Sequence, residues 1–449
     1  MAGNSAIPSL PKDYPMPEMV QHTMVALCVI TQDVTIGTNL ALLHFMWMLV
    51  SGSLLPSRGA VFPALQAVGL VPRAVRRAWA ALHGGDWHIA DLLTTWGEHV
   101  LAEQEWQETR YDGYAPKAVD TTAFWRPKLR NCLTKHFHPL AGKALPAIVI
   151  GLIARVGQIK GQRVALPTAI VRPETADASE TALQATLLAR VNTTLTADEM
   201  PVFDAGFKIK ALQAAGLTRY VVRLAENFTA RRNTLPPAKD KGPDAEYGTL
   251  VRPLARTRKG KLIPATPPDR TECWTEDGVA FRAEYWDDLV LPDVKVSATA
   301  ATFNVAAIYD PRFRTPWLLA SPVKLSGPAW RGLYRDRWPV EQIPLAGKQM
   351  LGGARQFVFA AESRYRLPEL ILLAGAVVTY LAATTPAIPT GFWDRQPKPT
   401  PGRFRRGLAG QPFPESYPLP ARLRQKASVV AHLAVGILAH RRTKRVAPA

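Results

Sequence analysis

The hydrophobic period of this chain changes near Ala115, and that change limits the folds open to it. Residues 20 to 105 repeat apolar side chains at helical spacing, broken by Gly and Pro and almost free of β-branched alternation. From about Ala115 the pattern is that of strands, in "PKAVDTTAF", "LPAIVIGLIARVG" and "QRVALPTAIV". A polar helix comes next in "SETALQATLLARVNTTL", opened by Ser179 with Glu180 and Thr181 in its first turn, and then two more strands in "MPVFDAGF" and "RYVVRLAENF". Three strands, a helix and further strands predict a mixed α/β sheet behind a helical N-terminal unit.

Between Glu246 and Ser326 the pattern is β-rich with Pro and Lys/Arg in its turns, as in "TLVRPLARTRKGKLIPAT", "GVAFRAEYWDDLVL" and "TAATFNVAAIYD". It reads as an all-β insertion in the α/β unit. After it come an apolar helix near 368 to 383 and a tail with nine prolines from Pro386 to Pro420, expected to be mostly extended or irregular. The apolar runs Leu40 to Pro56 and Leu370 to Ala383 fall short of the about 20 residues of a spanning helix, so both are expected in the core and no membrane partner is expected. The first fifteen residues lack a basic segment followed by an apolar core, which points away from secretion and towards the cytoplasm.

Charge narrows the partners. Lys and Arg total 55 against 36 Asp and Glu, a formal charge of +19 and a pI near 10.0, which favours a polyanion: nucleic acid first, an acidic membrane surface second. Cys28, Cys132 and Cys273 are too scattered for a zinc-ligand cluster and odd in number, as suits a reducing compartment. In the N-terminal unit, "RGAVFPALQAVGLVPRAVRRAWAALHGGDW" reads as a helix, a Gly-Leu-Val-Pro turn and a second helix starting near Pro72. Arg73, Arg76 and Arg77 on that second helix are candidate DNA contacts of a helix-turn-helix reader, with a solvated basic face as the alternative.

Two aspartates sit where strands make them costly. Asp120 interrupts the apolar strand "KAVDTTAF", and Asp204 ends the strand "MPVFDAGF" just before a turn. Each alone can be a structural Asp or a turn cap. A third acid, Glu341, lies in "YRDRWPVEQIPLAGKQM" with Tyr334, Arg337 and Lys348 in the spacing Y-x2-R-x3-E-x6-K. On one continuous helix these four side chains would fall within about 60° of one face. Pro339 and Pro344 argue against strict continuity: with Pro339 as the first helical residue, Glu341 is the third, Pro344 kinks the chain beyond it, and Tyr334 and Arg337 belong to a preceding turn. Three acids from two strands and a helix can converge on a divalent pair, the arrangement that supports in-line attack at phosphorus.

These residues resemble a family, the DDE transposases of bacterial insertion sequences, in the group with a Tyr-Arg-Glu-Lys (YREK) signature around its third acid. The stretch from Tyr334 matches the signature at every spacing, "VDTTAF" and "VFDAGF" resemble the flanks of the first and second aspartates, and the likeness spans about Ala115 to Ala383. It implies a ribonuclease H-like mixed-sheet catalytic core with a β-rich insertion and two Mg2+ ions, for which Mn2+ can substitute, held by Asp120, Asp204 and Glu341. It also implies double-stranded transposon ends and target DNA as partners, a homodimer on paired ends, and a nucleoid-associated place in the bacterial cytoplasm. Arg337 and Lys348 would hold phosphates, Tyr334 would hydrogen-bond one, and Trp317 in "PWLLAS" would stack on a flipped base. For Trp317 a place in the core is the alternative.

The expected organisation is a helical DNA-binding domain over 1–112, a first part of the catalytic core over 113–245, the β-rich insertion over 246–325, the rest of the core over 326–390, and a basic, Pro-rich tail with a helix over 391–449. A domesticated DNA binder that no longer cuts, and a structure-specific nuclease on the same core, remain as rival readings. Other residues carry less. His136 and His138 in "KHFHP" lack a third ligand nearby, Asp112 lies in a turn-like "YDGYAP", and Glu362 and Glu369 lack cations at signature spacing. The runs "GRFRRGLAG" and "HRRTKR" either contact DNA backbone or face solvent.

Overall fold

In the computed structural model, which describes residues 17–130, 132, 134–173, 179–237 and 245–424, five helices precede the sheet. They are α1 (Glu18–Gln32), α2 (Asn39–Val50), α3 (Val61–Ala67), α4 (Pro72–Gly84) and α5 (Ile89–Ala102). The next strands are β1 (Ala115–Trp125), β2 (Lys143–Ile159) and β3 (Gln162–Val171), an antiparallel meander. Helix α6 (Glu180–Thr194) then crosses over, capped at Ser179, whose hydroxyl accepts from the Ala182 N–H at 3.1 Å. The crossover delivers β4 (Glu199–Phe203) parallel to β1, and the short helix α7 (Ile209–Ala214) delivers β5 (Val221–Arg223) parallel to β4. Strand order across this part is β3-β2-β1-β4-β5, a mixed sheet in an α/β fold.

Beyond β5 the sheet continues. After β6 (Ala230–Arg232), the β-rich stretch contributes β7 (Arg270–Glu276), β8 (Val279–Val290), β9 (Phe303–Tyr309) and β10 (Trp317–Ser321). Strand β10 pairs antiparallel with β5, and β9, β8 and β7 lie successively outward, so this stretch extends the same sheet. The sequence pattern does not mark β7. Helices α8 (Gly327–Arg335) and α9 (Pro339–Leu345), a π-helical turn at Ala346–Met350, and α10 (Ser363–Thr384) then return the chain to the sheet.

Alternation along β1 assigns its faces. Val119 packs with α6 and α7 through Leu187, Leu188 and Leu212, whereas Ala118 and Phe124 lie in the cluster that holds Val340 and Ile343 of α9 and most of α10. Asp120 and Thr122 share the parity of Ala118 and Phe124, so they point towards α9 and α10. That second cluster is continuous with α1, α2, α4 and α5, so the N-terminal helices and the sheet share one core. Helix α10 can lie this close because Gly375 has no side chain: a Cβ there would come within 2.5 Å of the Ile343 carbonyl oxygen.

Two expectations change. Helix α10 runs 22 residues, longer than the apolar run that marks it, and by length and composition it could cross a bilayer; 94% of its apolar window is buried inside the protein. The Pro-rich tail is not wholly irregular, because Pro401–Leu408 forms a helix capped by Thr400 that buries Phe404 and Leu408. As the two prolines predict, the stretch from Tyr334 to Lys348 is three pieces, ending α8, forming α9 and turning through the π-helical segment. Pro344 cannot donate to the Val340 carbonyl, and the ladder re-forms one residue wider, with Leu351 N–H on the Ala346 carbonyl at 3.0 Å. The terminal run "HRRTKR" and any helix at the C-terminal end lie outside the described residues.

Candidate functional site

Asp120 stands in the middle of β1 opposite Leu152 of β2, its side chain on the apolar face that α9 covers. Ala118 pairs in parallel with Val202, so two residues on, Asp204 leaves the end of β4 abreast of Asp120. Asp204 is half-buried, and its Oδ1 accepts from the Gly206 N–H at 2.9 Å, which fixes the turn at the strand's end. Glu341 is the third residue of α9, with Pro339 first, as the proline spacing predicts.

Asp120 feels the charge of the other two acids. Burial raises Asp120 from its ordinary value of 3.8 to about 7; Arg337 opposes the rise, and the charges of Asp204 and Glu341 add to it. Arg337, only 4% exposed, is shared between two of them: its Nη2 bonds Glu341 Oε1, and its Nη1 lies 3.6 Å from Asp120 Oδ2. Burial by itself would lower the Arg337 pKa, yet Asp120 and Glu341 hold it above its ordinary value. Its Nε and Nη1 nevertheless lack hydrogen-bond partners, so a buried cation next to three acids keeps donors to spare. The double pairing with Asp120 and Glu341 is a contact that the spacing of the signature does not announce.

Lys348 reaches the same strand from the π-helical turn. Its Nζ donates to Thr122 Oγ1 at 2.6 Å and lies 4.8 Å and 5.5 Å from the ring centroids of Phe124 and Trp125. Burial pulls its pKa down to about 8, with the charge of Asp120 opposing. Tyr334 is buried at the end of α8, and the guanidinium groups of Arg337 and Arg223 each lie 5.8 Å from its ring centroid. Arg223 also donates to the Tyr334 hydroxyl at 3.4 Å.

Asp336, between the two signature positions, is fully buried and accepts from Thr109 at 2.9 Å and from Tyr111 at 2.8 Å. It ties the α8–α9 junction to the segment leading into β1. Thr122, Arg223 and Asp336 are contributors that sequence reasoning missed. Each acts through a partner far away in the chain, and no local spacing announces that.

Trp317 begins β10 and is 7% exposed, with its ring 5.3 Å from both Tyr334 and Phe313. It sits in the core, packed against Tyr334 and Phe313. Solvent instead meets Trp338, 45% exposed beside Arg337, and Phe313, 52% exposed. Arg73, Arg76 and Arg77 lie on α4, which starts at Pro72 as expected; all three are exposed, about one turn from the Gly69 bend, and the structure does not bring them to the carboxylates. His136 pairs with Glu180 at 3.0 Å, His138 caps the Ala141 N–H, Asp112 holds Ser326, and Glu362 and Glu369 pair with Arg172, so each has a structural partner.

The donor set at the site is carboxylate oxygen, which suits hard ions such as Mg2+ and Mn2+ better than Zn2+. Among the described residues no three His, Cys, Asp or Glu side chains are gathered tightly enough to form a ready-made cage, and Arg337 balances part of the acids' charge. No protein-family model matches the sequence, and no curated protein matches it.

Proposed function

We propose that the chain is a DDE transposase, which cleaves the ends of its own DNA element and joins their 3′ ends to target DNA. The observation that carries this reading is that the charges of Asp204, at the end of β4, and Glu341, at the start of α9, both act on Asp120 in the middle of β1, with one buried arginine tying Asp120 to Glu341. The order β3-β2-β1-β4-β5, with its antiparallel meander and two parallel strands, supports a ribonuclease H-like core. The β-rich stretch between β5 and α8 fits an insertion in that core, and the charge of +19 fits a nucleic-acid partner.

Asp120, Asp204 and Glu341 would hold two divalent ions, Mg2+ in the cell. When bound, such ions supply Lewis-acid polarisation and charge neutralisation at the attacking and leaving oxygens. Arg337 offers its unpartnered Nε and Nη1 donors to phosphate oxygens, and its existing ties to Asp120 and Glu341 set that phosphate against the acids. Lys348 places its charge beside Asp120, and Arg223 donates to the Tyr334 hydroxyl, adding a further cation next to Tyr334. Water attacks the scissile phosphorus, the bond to the 3′ oxygen breaks and that oxygen leaves as a 3′ hydroxyl; in the second step this hydroxyl attacks a target phosphodiester, gives up its proton and displaces the target's own 3′ oxygen, which leaves as a hydroxyl. Arg73, Arg76 and Arg77 are the proposed readers of the element's ends.

The test uses the full chain with the DNA that flanks its gene, in Mg2+. Free 3′ hydroxyls at an inverted-repeat boundary and joined products are expected, both lost in Asp204→Asn and Glu341→Gln while duplex binding persists. Duplex binding without cleavage in the unaltered chain would favour a domesticated binder, and cleavage without joining would favour a nuclease.

A further inference from the structure

Apart from the large sheet stands a two-stranded ribbon, Arg256–Arg258 against Lys261–Ile263, whose strands pair only with each other among the described residues. Its turn is Lys259 and Gly260, both at positive φ, 49° and 75°, the two-residue connection that keeps a hairpin twisted and tight. Register puts Arg258 directly across from Lys261 and Arg256 across from Ile263. With side chains alternating along each strand, Arg256, Arg258 and Lys261 therefore share one face, and Thr257 and Leu262 share the other. Like charges directly opposite each other destabilise an antiparallel pair, and nothing nearby in the chain offsets them: no acid occurs from Val251 to Pro268. Arg258, Lys259 and Lys261 are exposed and form no ion pair among the described residues. A face of this kind is complementary to a polyanion, which removes its self-repulsion.

The ribbon is also well placed. Arg256 donates to the Asn227 carbonyl, in the loop that leaves the C-terminal end of β5. Strands β1, β4 and β5 run parallel, so that loop emerges at the sheet edge where Asp204 leaves β4. The ribbon's root and Asp204 thus lie at the same end of the parallel strands.

We propose that the 256–263 ribbon is an arm that grips the sugar–phosphate backbone of duplex DNA held at the carboxylate edge. The proposal rests on the reading of the site as one for phosphoryl transfer on DNA. It makes Arg258, Lys259 and Lys261 backbone contacts without sequence preference, separate from the end-reading arginines of α4.

The test measures affinity of the full chain for a random-sequence linear duplex by fluorescence anisotropy across a salt series. Each phosphate contact adds about 0.9 to the magnitude of the slope of log affinity against log salt, so the triple variant Arg258→Gln, Lys259→Gln, Lys261→Gln should lower that magnitude by about 2.7. Lys295→Gln, which removes a cation already paired with Glu246, serves as the control and should leave the slope unchanged. An unchanged slope in the triple variant, with the unaltered chain binding steeply, overturns the arm and leaves the transposase reading intact. A Lys295→Gln effect as large per charge overturns it too, because net charge would then explain the loss. Salt-independent or absent duplex binding by the unaltered chain removes the transposase reading itself. The ribbon contributes no residue to the buried clusters, so the variants should keep the melting temperature of the unaltered chain.

Discussion

Asp120→Asn tests whether the fold carries a cost to keep its first carboxylate. Burial raises the Asp120 pKa from 3.8 to about 7, so the charged form is disfavoured in the folded chain even with Arg337 beside it. The side chain keeps 18% of its surface exposed. At about 1.4 kcal/mol per pKa unit, and discounted for that exposure, the cost above neutral pH is about 2 to 4 kcal/mol. Proton binding sets the direction. The folded pKa lies above the unfolded one, so between about pH 4 and pH 7 the folded state holds the extra proton, and stability falls as pH rises through that window. Asn imitates the neutral acid and keeps an oxygen for the Thr121 N–H that Asp120 accepts at 2.8 Å. Urea unfolding without divalent ions, monitored by tryptophan fluorescence, should therefore show the variant more stable by about 2 to 4 kcal/mol at pH 8 and equal to the unaltered chain near pH 4. The same variant should not cleave DNA. A loss of stability at pH 8, or a gain that does not change with pH, would refute the reasoning.

Lys348→Met should behave in parallel from the opposite charge. Burial holds the folded pKa near 8, below the ordinary 10.5, so the protonated lysine costs stability below about pH 8 and the cost fades as pH rises towards 10.5. The Met variant should melt higher at pH 7 than the unaltered chain, converge with it near pH 10.5, and lose about 0.9 from the salt slope of duplex binding. A lower melting temperature with an unchanged slope would assign Lys348 to the fold alone. Replacing Arg73, Arg76 and Arg77 together with Gln should abolish preference for the element's ends over random duplex without changing the melting temperature, since all three are exposed. Retained preference in a competition assay would remove α4 as the reader. Deleting the first 105 residues is not a fair version of that experiment, because α1, α2, α4 and α5 share their core with α10.

Much of the element order is readable because local rules govern it. The strand "QRVALPTAIV" coincides with β3, Ser179 caps α6 where its hydroxyl can reach the first turn, and Pro339 opens α9. The same rules are silent on β7, which pairs with β8 through alternately exposed residues and carries little apolar signal of its own. They misjudge the tail as well, where a helix at Pro401–Leu408 is held by burial of Phe404 and Leu408 against distant elements.

By itself the sequence determined the acids, the cations and their spacing, together with the alternation that aims Asp120 at one face of β1. Those are properties of residues and their neighbours, fixed by covalent order and by periods of 2 and 3.6. Only the tertiary structure decided that Arg337 joins Asp120 to Glu341, that Lys348 leans on Thr122, and that Trp317 is walled in by Tyr334 and Phe313. These contacts link side chains up to 226 residues apart. The seat of α8 and α9 on the sheet and the close approach of α10 at Gly375 create them, and both depend on how whole elements pack.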